Sequence, residues 1–477
     1  MKDLDCLIVH PTTHIKTRSP TNVLTNVILP MGSIAIADYI DRNGFSTEIV
    51  HTGLEEMLNP SFTMDALFKE YTPTVIGIDL HWYPHCYDAL HIAELAKNTY
   101  ENVFIVLGGF TASCFAEEIL QRFDYVDAIV KGDAEIPMLD LLKALPSNNL
   151  SNVPNLFYRE NTSIRESKKT YLPSQDEFDS FNFHNVLLLR HWHKYSQLTH
   201  ENDNLRQKLK RQGWLCIGRG CSVNCSYCGG GNNAQCLIAR RSAPLLRSQE
   251  KVVETLIALE EMKISCAYMD FDPYGRKTRE YYFKLFDMIR KEDIDISAQF
   301  LVWDVTSKKF LEEFKRTFNP LYTTLTLSPE SGSETIRKLN KGFYYSDSEL
   351  FSWLDLTKEI LIPIELYFAT GLTNETVKHF GETVQLGKKV VEEYPNVVHI
   401  ACNPIFLEPN SPRFLDPQKF GIVLKFQQFT DFYMTYKKFA LGVPVSSRLG
   451  YETENMSETD IIRLANYFNN QVHVFTH

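Results

Sequence analysis

The stretch Gly218-Arg-Gly-Cys221-Ser-Val-Asn-Cys225-Ser-Tyr-Cys228-Gly-Gly-Gly231 separates three cysteines by three and then two residues. Three thiolates on one short loop suit a soft-metal centre, because zinc and iron–sulfur clusters both take sulfur ligands. A structural zinc is closed by four protein ligands. The nearby candidates for a fourth are Cys216, before the loop, and Cys236, after it; no histidine lies between His200 and His379. A four-iron cluster held by three cysteines keeps one iron free to bind a small molecule.

Downstream of this loop, strand and helix patterns alternate. Ser248 to Met262 reads as an amphipathic helix, and Cys266 to Asp272 as a strand with Asp270 and Asp272 at its carboxyl end. Further strands are expected at 295–302, 322–327, 364–370 and 397–405, about six βα units in all. Barrel enzymes build their sites at the carboxyl ends of the strands. Ser328-Pro-Glu330-Ser331-Gly332, Gly371 and Glu408 fall at such ends. Ser331 also stands three residues before Glu334, the spacing of a capping box. Glu408 reads equally as a buried structural carboxylate or a substrate contact. Arg240, Arg241 and Arg247 are expected on a solvated helix face, with anion binding as the alternative.

Upstream, the pattern predicts strands at 5–10, 45–51, 74–79, 103–107 and 128–130, with helices over 31–43 and 87–97 between them. Such alternation implies parallel strands joined by crossover helices. Ligands then bind beyond the carboxyl ends, in the loops 11–30, 81–85, 108–113 and 131–135. His10, His14, His81 and His85 lie in or near those loops and read as loop or core histidines. Residues 146–210 are polar and charged and read as a connection; the basic run Arg206 to Arg211 at its end reads as a solvated stretch. The tail from 411 is helical and rich in Phe and Tyr, which predicts core packing.

With 477 residues, 44% hydrophobic, the chain can bury more than one core. A net charge of −10 argues against a nucleic-acid backbone as the main partner. No run approaches the ~20 apolar residues that span a bilayer, and Met1 to Asp5 does not resemble a signal peptide, so a cytoplasmic enzyme without a membrane partner is expected. The remaining cysteines, Cys6, Cys86, Cys114, Cys266 and Cys402, are scattered singly, as buried free thiols are.

The cysteine spacing, with Tyr227 before the third cysteine and glycines after it, resembles the signature of the radical S-adenosylmethionine (SAM) superfamily. The resemblance implies a 4Fe–4S cluster on Cys221, Cys225 and Cys228. It also implies that SAM is chelated by the open iron and cleaved to a 5′-deoxyadenosyl radical, and that the electron comes from a donor such as flavodoxin or ferredoxin. Ser328 and Glu330 resemble the motif that contacts the SAM ribose and methionine. Asp270 and Asp272 stand where the family binds the SAM amino group, although the usual Gly-Gly-Glu is absent there. Gly371 resembles the glycine beside adenine.

The layout Pro30-x-Gly32, Gly108-Gly109-Phe110-Thr111 and Lys131-Gly132-Asp133-Ala134-Glu135 resembles the cobalamin-binding domain of B12-dependent radical SAM enzymes, over about the first 145 residues. It implies cobalamin contacts at Gly108, Gly109, Gly132 and Glu135. The Asp-x-His-x-x-Gly motif that supplies an axial histidine in many B12 proteins is absent. The fold expected is α/β: a Rossmann-like cobalamin-binding domain over 1–145, a connection over 146–210, a partial (βα)6 TIM-type radical SAM barrel over 211–410 and a helical C-terminal segment over 411–477. The function implied is methyl transfer to an unactivated carbon, or to phosphorus, of a small-molecule, natural-product-like substrate. Gly229-Gly230 resembles the phosphinate-methylating branch. Radical rearrangement, cyclisation or ring contraction is the alternative on the same scaffold, and a non-catalytic iron–sulfur or zinc protein the alternative from another class.

Overall fold

Strand β1 (Lys2–His10) carries Leu4, Cys6, Leu7, Ile8 and Val9, all buried, as expected of a strand covered on both faces of a parallel sheet. The computed structural model describes residues 1–12, 29–195 and 211–474. His14, most of the loop 11–30 and Arg206 to Lys210 therefore lie outside the described residues. β1 pairs in parallel with β2 (Thr47–His51) and β3 (Tyr71–Asp79), so that Ile8 stands between Ile49 and Gly77. The sheet continues through β4 (Phe104–Gly108) and β5 (Ala128–Val130), again parallel. Its order, β2-β1-β3-β4-β5, reverses direction at β1 and β3. A crevice opens at such a reversal, and His10 and Asp79 end the two strands there.

Two antiparallel strands, β6 (Leu156–Glu160) and β7 (Ser163–Glu166), extend this sheet to seven. They come from the stretch expected to be a connection. Their turn is Asn161-Thr162, and Asn161 takes a left-handed φ of 54° that asparagine tolerates.

The chain divides into two compact units, and the first gathers residues 1–211, 236–241 and 428–446. Part of the C-terminal tail thus packs with the N-terminal sheet. The helix Phe429–Ala440 sets Phe429 against Phe115 and Phe123, and Phe432 against Tyr83 and Phe115. Glu118 caps its N-terminus, accepting from the Phe429 and Thr430 amides at 2.7 and 3.2 Å.

The second unit is built on six parallel strands in sequential order: β8 (Gln212–Trp214), β9 (Cys266–Met269), β10 (Ser297–Val302), β11 (Thr324–Glu330), β12 (Ile364–Thr370) and β13 (Val397–Pro404). β8 and β13 are not paired with each other, so the βα succession stays an open barrel. One face is apolar and covered by helices: Phe300 packs on Phe310 and Phe314 of the helix Lys308–Thr317, and Phe368 on Phe468 of the helix Glu458–Gln471. The open edge of β13 is tied by Asn469, whose side chain donates to the Cys402 carbonyl and accepts from its amide, both at 2.8 Å, in place of another strand.

Phe310 is fully buried among Tyr282, Phe286, Phe300 and Phe314. We predict that Phe310→Ala lowers stability by about 3–5 kcal/mol, read as a lower urea midpoint at unchanged slope.

Candidate active site around the cysteine loop

The cysteine loop is fastened at its middle. Ser226 donates from its amide to the Asn340 carbonyl at 2.8 Å, and its hydroxyl reaches Asn340 Oδ1 at 2.5 Å. The Ser226 carbonyl accepts from the Arg413 amide at 3.0 Å. On the far side of the third cysteine, the Gly229 amide donates to Glu408 Oε2 at 2.7 Å. A Cβ on Gly229 would stand 2.3 Å from the Pro409 carbonyl oxygen, so only glycine fits. Glu408 is a structural clamp here, and burial raises its carboxyl above the ordinary range.

Two amides point at sulfur: Gly342 to Cys225 Sγ at 3.2 Å and Gly230 to Cys228 Sγ at 3.4 Å. Burial pushes the Cys228 thiol up, and Glu408 adds to the shift; burial also raises Cys221, with Cys225 adding. Metal ligation requires thiolates, so loading this loop must displace protons. Among the described residues no three Cys, His, Asp or Glu side chains stand together as a metal-holding group. Closing on a cluster therefore requires the thiols to turn toward one another. The donor set, three cysteines on one tethered loop with amides aimed at two sulfurs, fits an iron–sulfur cluster in its chemistry. Cys216, before the loop, is buried.

The same Asn340 joins the loop to the end of β12. Its Oδ1 accepts from the Thr373 amide and its Nδ2 donates to the Thr373 carbonyl, both at 3.0 Å. Gly371, at φ 86°, is enclosed: a Cβ would meet the Tyr451 hydroxyl at 2.4 Å. Its amide donates to Glu375 at 2.9 Å, and its carbonyl accepts from Arg413 Nη1 and the Tyr451 hydroxyl at 3.1 and 2.9 Å. Both polar groups of this glycine are thus used by the protein. Glu375 is fully buried, and burial raises its carboxyl to about 7 against the pull of the Gly371 and Leu372 amides.

Glu330 ends β11 at φ 66°, a left-handed conformation uncommon for a glutamate and characteristic of functional sites. It accepts from the Tyr227 hydroxyl at 2.8 Å and faces Lys341 Nζ at 3.5 Å. Tyr227, expected as a motif residue, therefore bridges the cysteine loop to Glu330. Ser328 lies two residues earlier, part-exposed. The capping box expected from Ser331 and Glu334 is not formed: Ser333 precedes the helix Glu334–Asn340, and Glu334 accepts instead from the Asp347 amide.

Asp270 and Asp272 part company. Asp272 is fully buried, makes a bidentate pair with Arg279 at 3.1–3.2 Å and accepts from the Trp303 amide at 2.9 Å. It is spent on structure, which corrects the expectation of a ligand contact. Among the described residues Asp270 accepts one hydrogen bond, from Trp303 Nε1 at 3.3 Å, and burial raises its carboxyl to about 7. Arg241 and Arg247, expected on a solvated face, are also buried. Arg241 pairs with Asp133 at 2.5 Å, and Arg247 donates to the Cys216 carbonyl and Thr255.

In the first unit, Gly32 and Gly108 have open space where a Cβ would stand. Gly109, at φ 102°, lies against the His81 backbone, 2.6 Å from a notional Cβ, and Gly132, at φ 85°, against Ala239. Glu135 is buried at the start of its helix. Free space beside Gly108, at the carboxyl edge of the sheet, suits a large flat ligand. At the same edge His10 Nδ1 pairs with Asp79 at 2.7 Å, and its ring meets His51 and His85. Burial would raise Asp79, but the hydrogen bond and charge of His10 outweigh it and hold the carboxyl at about 2; burial lowers His85 to about 4. The His10–Asp79 partnership crosses from β1 to β3 and had no signal in the sequence.

Residues 215–387 match the family model of the radical SAM superfamily, and residues 20–142 that of the B12 binding domain. The chain thus carries a radical SAM match and a B12 binding match together, the second preceding the first. Among its relatives, the uncharacterized methyltransferase PH0819 of Pyrococcus horikoshii is 25% identical over 406 residues, 83% of this chain and 80% of that protein. The anaerobic magnesium-protoporphyrin IX monomethyl ester cyclase of Rubrivivax gelatinosus is 21% identical over 362 residues, 74% of this chain but 60% of that one. The structure of TsrM, a radical SAM methyltransferase from Kitasatospora setae with cobalamin and a 4Fe–4S cluster bound, has a TM-score of 0.66 at 13% identity, covering 88% of this chain and 77% of that one. At that identity the likeness is one of fold. No helix among the described residues is long and apolar enough to cross a membrane.

The buried groups can be tested in two ways. Asn340→Leu removes the side-chain hydrogen bonds of Asn340 to the Ser226 hydroxyl and to the Thr373 amide and carbonyl, leaving these groups unpaired; iron bound after anaerobic reconstitution should fall by at least half, with a lower melting temperature. The raised Glu375 carboxyl holds its proton in the folded chain after the unfolded chain has lost it. Its contribution to stability is therefore full below about pH 4.5, falls as pH rises toward about 7 and then levels, by a total of ~3 kcal/mol. Glu375→Gln should flatten that part of the stability profile in denaturant titrations between pH 4.5 and 8.

Proposed function

We propose that the protein is a cobalamin-dependent radical SAM methyltransferase that acts on a small molecule, at an unactivated carbon or at phosphorus. The observation that carries this reading is the conjunction in one chain of the three-cysteine loop, within the radical SAM match, and a Rossmann-like unit matching the B12 binding domain. That relatives of both kinds bear the name methyltransferase supports it. Cys221, Cys225 and Cys228 would hold the 4Fe–4S cluster, and Gly108, Gly109, Gly132 and Glu135 would line the cobalamin side. When bound, the cluster with SAM supplies a radical source and cobalamin a methyl carrier.

The chain's own residues then bind and orient. Glu330, held by Tyr227 and Lys341, is the polar group for the ribose or methionine part of SAM, with Ser328 beside it in sequence. Asp270, with no cation paired to it among the described residues, would receive the SAM ammonium. The cluster needs an electron, which a flavodoxin or ferredoxin would deliver. The cyclase relative favours a second reading, radical cyclisation or rearrangement without methyl transfer.

Protein made anaerobically with hydroxocobalamin should bind about four irons and one cobalamin. Given SAM labelled in its methyl group, it should release 5′-deoxyadenosine and pass label to a product. Cys225→Ala should lose the iron and reduce 5′-deoxyadenosine by more than 100-fold. Undiminished release by that variant would sink the radical chemistry, and iron without cobalamin would favour the second reading.

A further inference from the structure

The six-stranded sheet of the second unit has two unlike faces. Gly213, Phe300 and Phe368 point to the helices, Gly213 toward Leu259 and Ile264. Strand register then places Trp214, Tyr268, Gln299, Thr326 and Glu365 on the opposite, inner face: Tyr268 pairs with Trp214 and with Gln299, and Thr326 with Glu365. A closed barrel fills this face with branched apolar side chains. Here it is polar and aromatic, and all of these but Thr326 are part-exposed.

Glu365 is held in place by neutral groups. Its Oε2 accepts from Gln299 Nε2 at 2.7 Å and from the Thr326 hydroxyl at 3.2 Å, and Gln299 is itself braced by Gln212 at 2.8 Å. Tyr367 is a further hydrogen-bonding neighbour. Neutral donors orient a carboxylate without cancelling its charge. Asp270 is the second carboxyl group of this interior. Among the described residues neither forms an ion pair, whereas Glu330, Asp272 and Asp304 in the same unit each have a basic partner. The rings of Trp214 and Tyr268, with centroids 4.3 Å apart, and of Tyr367 offer π faces beside the carboxylates. His399 stands opposite Glu365 in the register, its ring 5.3 Å from that of Tyr367, and makes no ion pair with it among the described residues. Preoriented carboxylates and aromatic faces with no lysine or arginine paired to them form a receptor for a ligand cation.

We propose that the inner face of the barrel binds the substrate, that this substrate bears a protonated amine, and that Glu365 receives the ammonium. This rests on the reading above, in which Asp270 is taken by SAM and a separate small molecule is the acceptor.

The test uses the full chain, reconstituted anaerobically and saturated with SAM. Titration calorimetry is run with 2-phenylethylamine and putrescine, and with their N-acetylated forms, which keep the size and lose the charge. At least one amine should bind about tenfold or more tightly than its acetylated form. Glu365→Gln should lose about that factor, and Glu365→Asp should recover part of it at an unchanged melting temperature. Amines and amides binding alike, neither amine binding, or a Gln variant that binds as the wild type does would each overturn the inference. The wild-type release of 5′-deoxyadenosine without any amine separates the two levels. If that release is intact while amine selectivity is missing, only the amine receptor is wrong; if it is missing, the radical reading itself fails.

Discussion

The site depends on one buried guanidinium. Arg413 is fully enclosed, with Nη1 on the Gly371 carbonyl, Nη2 on the Phe406 carbonyl at 2.7 Å and its plane over the Tyr451 ring at 4.2 Å. Its own amide holds the Ser226 carbonyl, between the second and third cysteines. One residue therefore ties the cysteine loop to the carboxyl end of β12 and to the loop after β13. Burying a guanidinium is costly unless its donors are met; here carbonyls take Nη1 and Nη2 and a π face lies under the plane, while Nε has no hydrogen-bond partner among the described residues. Lysine would not replace it, since a single ammonium cannot reach two carbonyls in a fixed fork while lying flat on the ring.

Asn340 makes the second tie, and it works by different chemistry. A side-chain amide can both donate and accept, so it can join two backbone segments without any net charge. It does so between Ser226 and Thr373. Together the two residues fix a glycine-rich loop that has little side-chain packing of its own.

How far the sequence could be read follows from which signals are local. Five of the six strands of the second unit and the five parallel strands of the first were legible because buried parallel strands are short apolar runs closed by turn residues; β8, three residues long, was not read as a strand. The cysteine loop was legible because its whole spacing lies between Cys221 and Cys228. The hairpin β6–β7 was not, since its strands are short and β7, Ser-Ile-Arg-Glu, is polar and largely exposed. Nor was the docking of the helix Phe429–Ala440 on the first unit: aromatic density predicts burial, but nothing local says against what. Asp270 and Asp272 looked equivalent, and only Arg279 and Trp303 tell them apart. Arg413 and Asn340 carry no motif, because their value lies in contacts with Ser226, far from both in the chain.

The glycines after the third cysteine show how a local resemblance and a packing requirement can coincide. Gly229 is excluded from bearing a side chain by the Pro409 carbonyl and by Glu408, which its amide needs at hydrogen-bond distance. Gly231 stands against Asn224 and the Val223 carbonyl at 3.0 Å. Gly342 would drive a Cβ to within 2.5 Å of Val223, yet its amide must reach Cys225. Gly229, Gly231 and Gly342 are thus accounted for by close approach of neighbouring chain around the three sulfurs. Any chain that builds the loop this way needs glycine at position 229, so Gly229 bears on how the loop is held and not on carbon against phosphorus as an acceptor. Information about the acceptor has to come from side chains that face the interior of the barrel.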